Sequence, residues 1–289
     1  MFNFTTAAQA LAICTEFNIT LAEAMQRREE AITGRSREDI RNQMKRSLRI
    51  MEEGGDAARE KAMPSLGGLI GGESKRFTDY LQENKSLSGE FLQTAVAAAM
   101  SVMEVNASMG LIVAAPTAGS AGIIPGIITA CRDVLEIAEE KRIDALFTAG
   151  AIGWLVTYNG SISGAEGGCQ AETGTAAAMA SAALVELRGG TPEQATAAAA
   201  LCFSNMLGIV CDPVGGLVEA PCQMRNVMGS SVAVTSADIS LSGIPFVAPL
   251  DEMIEVVARV GRQLPAELRE TGMGGLATAP SACAKCTML

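Results

Sequence analysis

Residues 173–210 read TGTAAAMASAALVELRGGTPEQATAAAALCFSNMLGIV. Two alanine-rich stretches flank the segment Arg188-Gly-Gly-Thr-Pro-Glu193. Alanine is the strongest helix former, so each stretch predicts a helix. The break between them carries stop and start chemistry. Gly189 or Gly190 ends the first helix, and the Thr191 hydroxyl caps the second. Pro192 fits its first position, and Glu193 puts negative charge in its first turn. The whole chain continues the theme, with 48% apolar residues but only 4% aromatic ones. A core of Ala, Leu, Ile, Val and Met lets helices approach closely, which favours helix-on-helix packing.

Residues 1–60 predict charged, amphipathic helices, among them Thr20–Glu30 and Glu38–Glu53, with Gly54-Gly55 ending the second. Residues 64–74, PSLGGLIGGES, predict a glycine-rich loop. A polar helix follows from Phe77, and Gly89 opens an apolar helix over residues 90–105. Another helix spans 251–263. Val232-Ala-Val-Thr235 is strand-like but short. The expectation is an all-α, bundle-like single domain over 1–289, with glycine-rich loops. Residues 1–60 form a helical appendage, and residues 275–289 an irregular tail.

With 32 acidic and 22 basic residues, the net charge is −10 and the pI about 4.7. Binding to a nucleic-acid backbone needs clustered cations, so no nucleic-acid partner is expected. Residues 105–131 and 145–165 carry no charge. They raise the possibility of membrane helices. The first is broken by Pro116, Gly119, Gly122, Pro125 and Gly126, and the second carries Asn159, Gly160, Ser161 and Ser163. Backbone broken in lipid leaves polar groups unsatisfied, so no membrane partner is expected. The N-terminal stretch lacks the charged start of a secretory signal, which predicts a cytoplasmic protein with reduced thiols.

The chain has no histidine and eight cysteines. The first fact removes Ser-His-Asp triads, Cys-His dyads and histidine-based metal sites from this chain's own repertoire. The second leaves packing, metal ligation and redox chemistry open. Cys14, Cys131 and Cys202 fall inside apolar helical runs and read as core. Cys169, Cys211 and Cys222 each lie beside Gly or Pro, where a thiol can face a cleft. They are 42 and 11 residues apart, unlike the compact runs of ferredoxins or zinc ribbons. Cys283-Ala-Lys-Cys286 is a lone C-x-x-C that suits a redox pair, half a metal site or a tail with no partner.

Ala114–Gly122, AAPTAGSAG, joins two apolar helices. Small residues there expose N–H groups and hydroxyls, and the following helix start adds positive charge, so a carboxylate would fit. A plain helix–helix turn explains it equally well. The loop Ser65–Ser74 offers a second such wall. None of the six lysines sits in the motif of the pyridoxal phosphate dehydratases, so no pyridoxal phosphate is expected.

The segments Ala114–Gly126 (AAPTAGSAGIIPG), Gly164–Glu172 (GAEGGCQAE), Cys211–Cys222 (CDPVGGLVEAPC) and Gly274–Pro280 (GGLATAP) resemble those of the iron–sulfur L-serine dehydratases. The likeness covers nearly the whole chain and is strongest from about 60 to 280. Its length is similar to the α chain of the two-chain form. The resemblance implies that Cys169, Cys211 and Cys222 bind three irons of a [4Fe–4S] cluster, leaving the fourth for L-serine, which is dehydrated to aminoacrylate and then yields pyruvate and ammonia. It implies substrate contacts from Thr117, Gly119, Ser120 and Ala121, with Ser65 and Gly71 on the second wall. It also implies a β subunit in a heterodimer or larger assembly, which donates the imidazole this chain lacks. Lys75, Glu166 and Glu172 are the fallback bases. Cys286 or Cys283 could cap the open iron when substrate is absent, and the exposed cluster would lose activity in air. A related lyase acting on cysteine, and a membrane or scaffold protein with core cysteines, are the competing readings.

Overall fold

The computed structural model describes residues 2–83 and 86–286. Its helices are α1 (Ala7–Phe17), α2 (Leu21–Thr33), α3 (Arg37–Glu60), α4 (Glu73–Gln82), α5 (Glu90–Ala107), α6 (Ile123–Asp133) and α7 (Glu139–Asn159). They continue with α8 (Gly164–Gly167), α9 (Cys169–Leu187), α10 (Pro192–Asn205), α11 (Cys222–Leu241), α12 (Leu250–Gln263) and α13 (Pro280–Cys286). The fold is all-α. Among the described residues, the only extended pairing is one parallel bridge between Cys211 and Arg269. No described helix is long and apolar enough to cross a membrane.

Local chemistry sets the boundaries. The hydroxyls of Thr6, Thr20 and Ser36 accept from the first-turn N–H groups of α1, α2 and α3. Thr191 and Gln194 form a reciprocal capping box at α10, with Pro192 at the first helical position. Such caps contribute about 1 kcal/mol each. The central helix is α9, buried from Cys169 through Val185. It packs against α7, α10 and α11, while α5 packs against α3, α6 and α11. A helix that is apolar all round has no solvent face and must sit inside. The N-terminal helices join the same core, where Phe4, Leu21 and Leu48 are fully buried. The Trp154 indole N–H donates to the Phe4 carbonyl at 2.9 Å.

Three local expectations are corrected. Helix α3 runs through Gly54-Gly55 to Glu60. These glycines mark a close approach: a Cβ on Gly55 would lie 2.5 Å from Thr129 Oγ1. Beside it, Ser101 Oγ donates to the Gly54 carbonyl at 2.6 Å and accepts from Ala58 N at 2.8 Å. The strand-like Val232–Thr235 lies inside α11, where packing overrides β propensity. The tail expected to be irregular forms a 3-10 turn at Gly275–Thr278 and then α13.

Candidate functional site

Two helix starts and two glycine-rich loops build the site. Cys169 is the first residue of α9, and Cys222 the first of α11. A helix N-terminus carries partial positive charge, which favours a thiolate. The approach to α9 requires Gly168, whose φ is +73°. A Cβ there would sit 2.6 Å from Leu264 and 2.9 Å from the Ile209 carbonyl. Cys169 Sγ lies 2.8 Å from Thr173 Oγ1 one turn along.

Cys211 sits in the segment between α10 and α11. Its N–H donates to the Leu268 carbonyl at 2.8 Å, and its carbonyl accepts from Glu270 N at 2.7 Å. Arg225 fixes the same segment from α11, donating to the Val210 carbonyl at 2.6 Å and to Asp212 Oδ1 at 2.5 Å. The other oxygen of Asp212 accepts from Leu276 N at 2.6 Å. Both Asp212 oxygens are thus engaged in orienting the loop.

Glu172 lies at the centre. Thr117 Oγ1 donates to its Oε1 at 2.8 Å, and Cys211 Sγ lies 3.8 Å from its Oε2. Ser120 Oγ is 3.1 Å from Thr117 Oγ1, and Ala121 is fully buried. A Cβ on Gly164 would come within 2.6 Å of Glu172 and 3.0 Å of Cys211 Sγ, and one on Gly119 within 3.3 Å of Glu172. These loops are glycine-rich because a carboxylate and a thiol occupy the space of the missing side chains. Asn226 joins the two sides, donating to the carbonyls of Gly119 and Cys222 at 2.8 Å each and accepting from Gly122 N at 2.9 Å.

The structure also brings in Glu270. One donor atom each from Glu172, Cys211 and Glu270 lie within 4.8 Å of one another. Glu270 holds a left-handed backbone, φ +64°, a conformation that costs a non-glycine residue free energy and clusters at functional sites.

Burial pushes all three site thiols above their ordinary range, Cys222 to about 12. The negative charges of Cys169 and Glu172 add to the effect on both Cys211 and Cys222, while Arg225 opposes it at Cys169. Burial likewise raises Glu172. A bound cation reverses that bias. Cys169, Cys211 and Cys222, at two helix starts and in a bridged loop, offer soft thiolate donors of the kind that suits iron or an iron–sulfur group. Cys14, Cys131 and Cys202 are isolated in the core, and burial raises each of them too.

Other sequence candidates lie elsewhere. Ser65 Oγ donates to Glu219 Oε2 at 2.7 Å, and Gly67 N and Leu69 N donate to the same carboxylate at 2.8 Å. Gly71 N donates to Glu73 at 2.6 Å, while Gly72 N and Ser74 N donate to the fully buried Glu104 at 2.8 Å each. The second glycine-rich loop thus folds around the chain's own carboxylates. Lys75 pairs with Asp79 on α4, partly exposed. Glu166 is exposed on α8. The side chains of Cys283 and Cys286, expected as tail ligands, lie outside the described residues.

Fold and donor set together define an all-helical protein with a buried site of thiols and carboxylates suited to a soft metal. The sequence matches the serine dehydratase alpha chain family over residues 16–277. It is 47% identical over 281 residues to the probable L-serine dehydratase, alpha chain, of Bacillus subtilis, covering 96% of this chain and 92% of that protein. It is 40% identical over 272 residues to the L-serine dehydratase, alpha chain, of Peptoniphilus asaccharolyticus, covering 94% and 93%. Against the L-serine dehydratase of Mycobacterium bovis it is 36% identical over 285 residues, covering 95% of this chain but 61% of that longer protein. The chain belongs to the serine dehydratase alpha chain family.

Proposed function

We propose that this chain is the catalytic subunit of an L-serine ammonia-lyase, in which Cys169, Cys211 and Cys222 hold a [4Fe–4S] cluster. The carrying observation is the placing of the buried Cys169 and Cys211 and the half-buried Cys222, whose charges act on one another, with Glu172 and the Thr117 loop. The matching family and the names of the relatives support the substrate and the reaction. When bound, a cluster with one iron free of protein thiolate supplies a Lewis acid for the substrate's carboxylate and hydroxyl.

The chain's own residues do the rest. The helix starts at Cys169 and Cys222 favour the negative charge of the ligand set. Thr117, Gly119, Ser120 and Ala121 receive the substrate carboxylate at the turn before α6, while the Ser65–Gly71 loop is held by Glu219 and Glu73. Glu172 fixes the direction of the Thr117 hydroxyl. Loss of the α-proton and of hydroxide gives aminoacrylate, which hydrolyses to pyruvate and ammonia. The chain offers no imidazole, so the base comes from a β chain, the partner that the alpha-chain names of the relatives imply. Of the alternatives within this chain, Glu172 lies beside Cys211, whereas Lys75 is paired with Asp79 and Glu166 is exposed on α8. The setting is cytoplasmic, and the whole chain acts as one catalytic domain.

The test is anaerobic purification with the β chain, followed by iron, sulfide and pyruvate measurements. About four irons and four sulfides per chain are expected. Cys211→Ser should lose the cluster and turnover together. Undiminished pyruvate formation in that variant would overturn the assignment.

A further inference from the structure

A cleft of about 390 Å³ lies behind α8, lined by Ser161, Glu166, Gly167, Val257, Arg262 and Arg269 among others. Arg37, Arg41, Arg132, Arg142 and Arg225 are held by carboxylates. Among the described residues, neither Arg262 nor Arg269 has an ion-pair partner, although acidic residues outnumber basic ones by 32 to 22. Arg269 Nε is buried without a hydrogen-bond partner. The rest of the Arg269 side chain is partly exposed and that of Arg262 exposed, so both guanidiniums are open to an anion, and the buried Nε gains from one. Glu166 lines the same cleft, and no ion pair joins it to either guanidinium.

We propose that this cleft is a second binding site, distinct from the cluster site, for a small amino-acid zwitterion. The carboxylate is held by Arg262 and Arg269, whose planar donors suit it in paired geometry. The ammonium is held by Glu166. Val257 and the glycine floor accommodate a small side chain. Two structural links carry occupancy to the site. Arg269 pairs with Cys211 through the backbone bridge, and its neighbour Glu270 stands with Cys211 and Glu172. Helix α8 lies between the two, with Gly167 against Gly261 of α12 and Gly164 against Glu172 and Cys211. This role makes Glu166 a ligand-binding residue of the second cleft.

The probe is L-alanine, which lacks the hydroxyl that dehydration removes. Calorimetric titration into the anaerobic holoenzyme reads its affinity, with acetate and methylammonium as controls. Arg262→Gln and Ala258→Glu alter the cleft at partly or fully exposed positions. Each should weaken L-alanine at least tenfold while leaving kcat and KM for L-serine unchanged when no L-alanine is present. L-alanine should shift the serine KM of the unsubstituted enzyme and not that of Arg262→Gln, because coupling between sites is reciprocal. Acetate should bind more weakly than L-alanine, and methylammonium more weakly still. The proposal falls if both variants keep full L-alanine affinity, or if L-alanine does not bind the unsubstituted enzyme. It falls too if acetate binds as tightly as L-alanine, or if serine KM and L-alanine affinity move in parallel across the variants, which places the ligand in the catalytic site. Iron content and serine turnover are read separately, so failure here leaves the cluster assignment standing.

Discussion

The α2–α3–α7 face and the α9–α11 site handle charge in opposite ways. On the first, charges of opposite sign meet at the surface. Arg37 joins Glu23 and Glu30 at 2.7 Å each, and Arg41 joins Glu140 and Asp144 at 2.6 Å each. Around the second, carboxylates are buried and answered chiefly by backbone N–H groups and hydroxyls. Glu219 is 3% exposed and holds three donors of one loop, while Glu104 is fully buried and holds the start of α4. Ion pairs between long exposed side chains trim a fold that helix packing already decides. A buried carboxylate among N–H groups dictates the path of a loop that has no regular structure of its own.

That contrast can be broken most forcefully at Glu219. Glu219→Ala leaves Ser65 Oγ, Gly67 N and Leu69 N without their acceptor and should cost about 3 kcal/mol in chemical denaturation. Turnover should fall with it, because the same segment carries Cys222. A loss below about 1 kcal/mol would show that the loop does not depend on the carboxylate.

A second pair of substitutions sharpens the distinction. Gly164→Ala puts a methyl against Glu172 and Cys211, and Gly150→Ala in α7 meets nothing within 4 Å. The first should lower iron content and reduce kcat/KM about tenfold, equivalent to about 1.4 kcal/mol. The second should stabilise by about 0.5–1 kcal/mol through helix propensity, with activity unchanged. Equal effects in the two variants would remove the special status of the site glycines.

Glu186 tests burial on the core side of α9. It accepts from Thr148 Oγ1 at 2.6 Å and from Ala22 N at 3.3 Å, and burial raises its pKa above the ordinary carboxylate range. A raised folded-state pKa contributes stability that is fully present below the unfolded-state value of about 4.3 and is lost as pH rises through the folded-state value. Glu186→Gln should therefore flatten the decline in stability across that upward window, read by urea denaturation at a series of pH values. An unchanged slope would assign the decline to other groups. The smallest effect belongs to the ion-paired face. Arg37→Gln should cost at most about 1 kcal/mol and be masked by salt; a larger, salt-insensitive loss would contradict the surface reading.

The helices are legible in the sequence where their signals are local. The Thr191-Pro192 start and the alanine runs of α9 and α10 need no knowledge of distant residues. Gly54-Gly55 misleads because a helix stop and a close helix contact use the same residue, and only Thr129, far along the chain, tells them apart. The site follows the same rule. The cysteine-bearing loops stand out through long motifs, whereas Glu270, Arg225, Asn226 and Glu219 earn their places from partners that spacing does not reveal. The acidic residue bounding the uncharged run before Arg132 is Glu104, yet nothing local announces that it caps α4.

The amide of Asn226 is directional, its nitrogen facing two carbonyl oxygens and its oxygen facing one N–H. Hydrolysis to aspartate, an exchange of a single heavy atom, would set oxygen against oxygen on the Thr117 side and at the root of α11 together. Spontaneous deamidation at this one position would age both halves of the pocket in a single event.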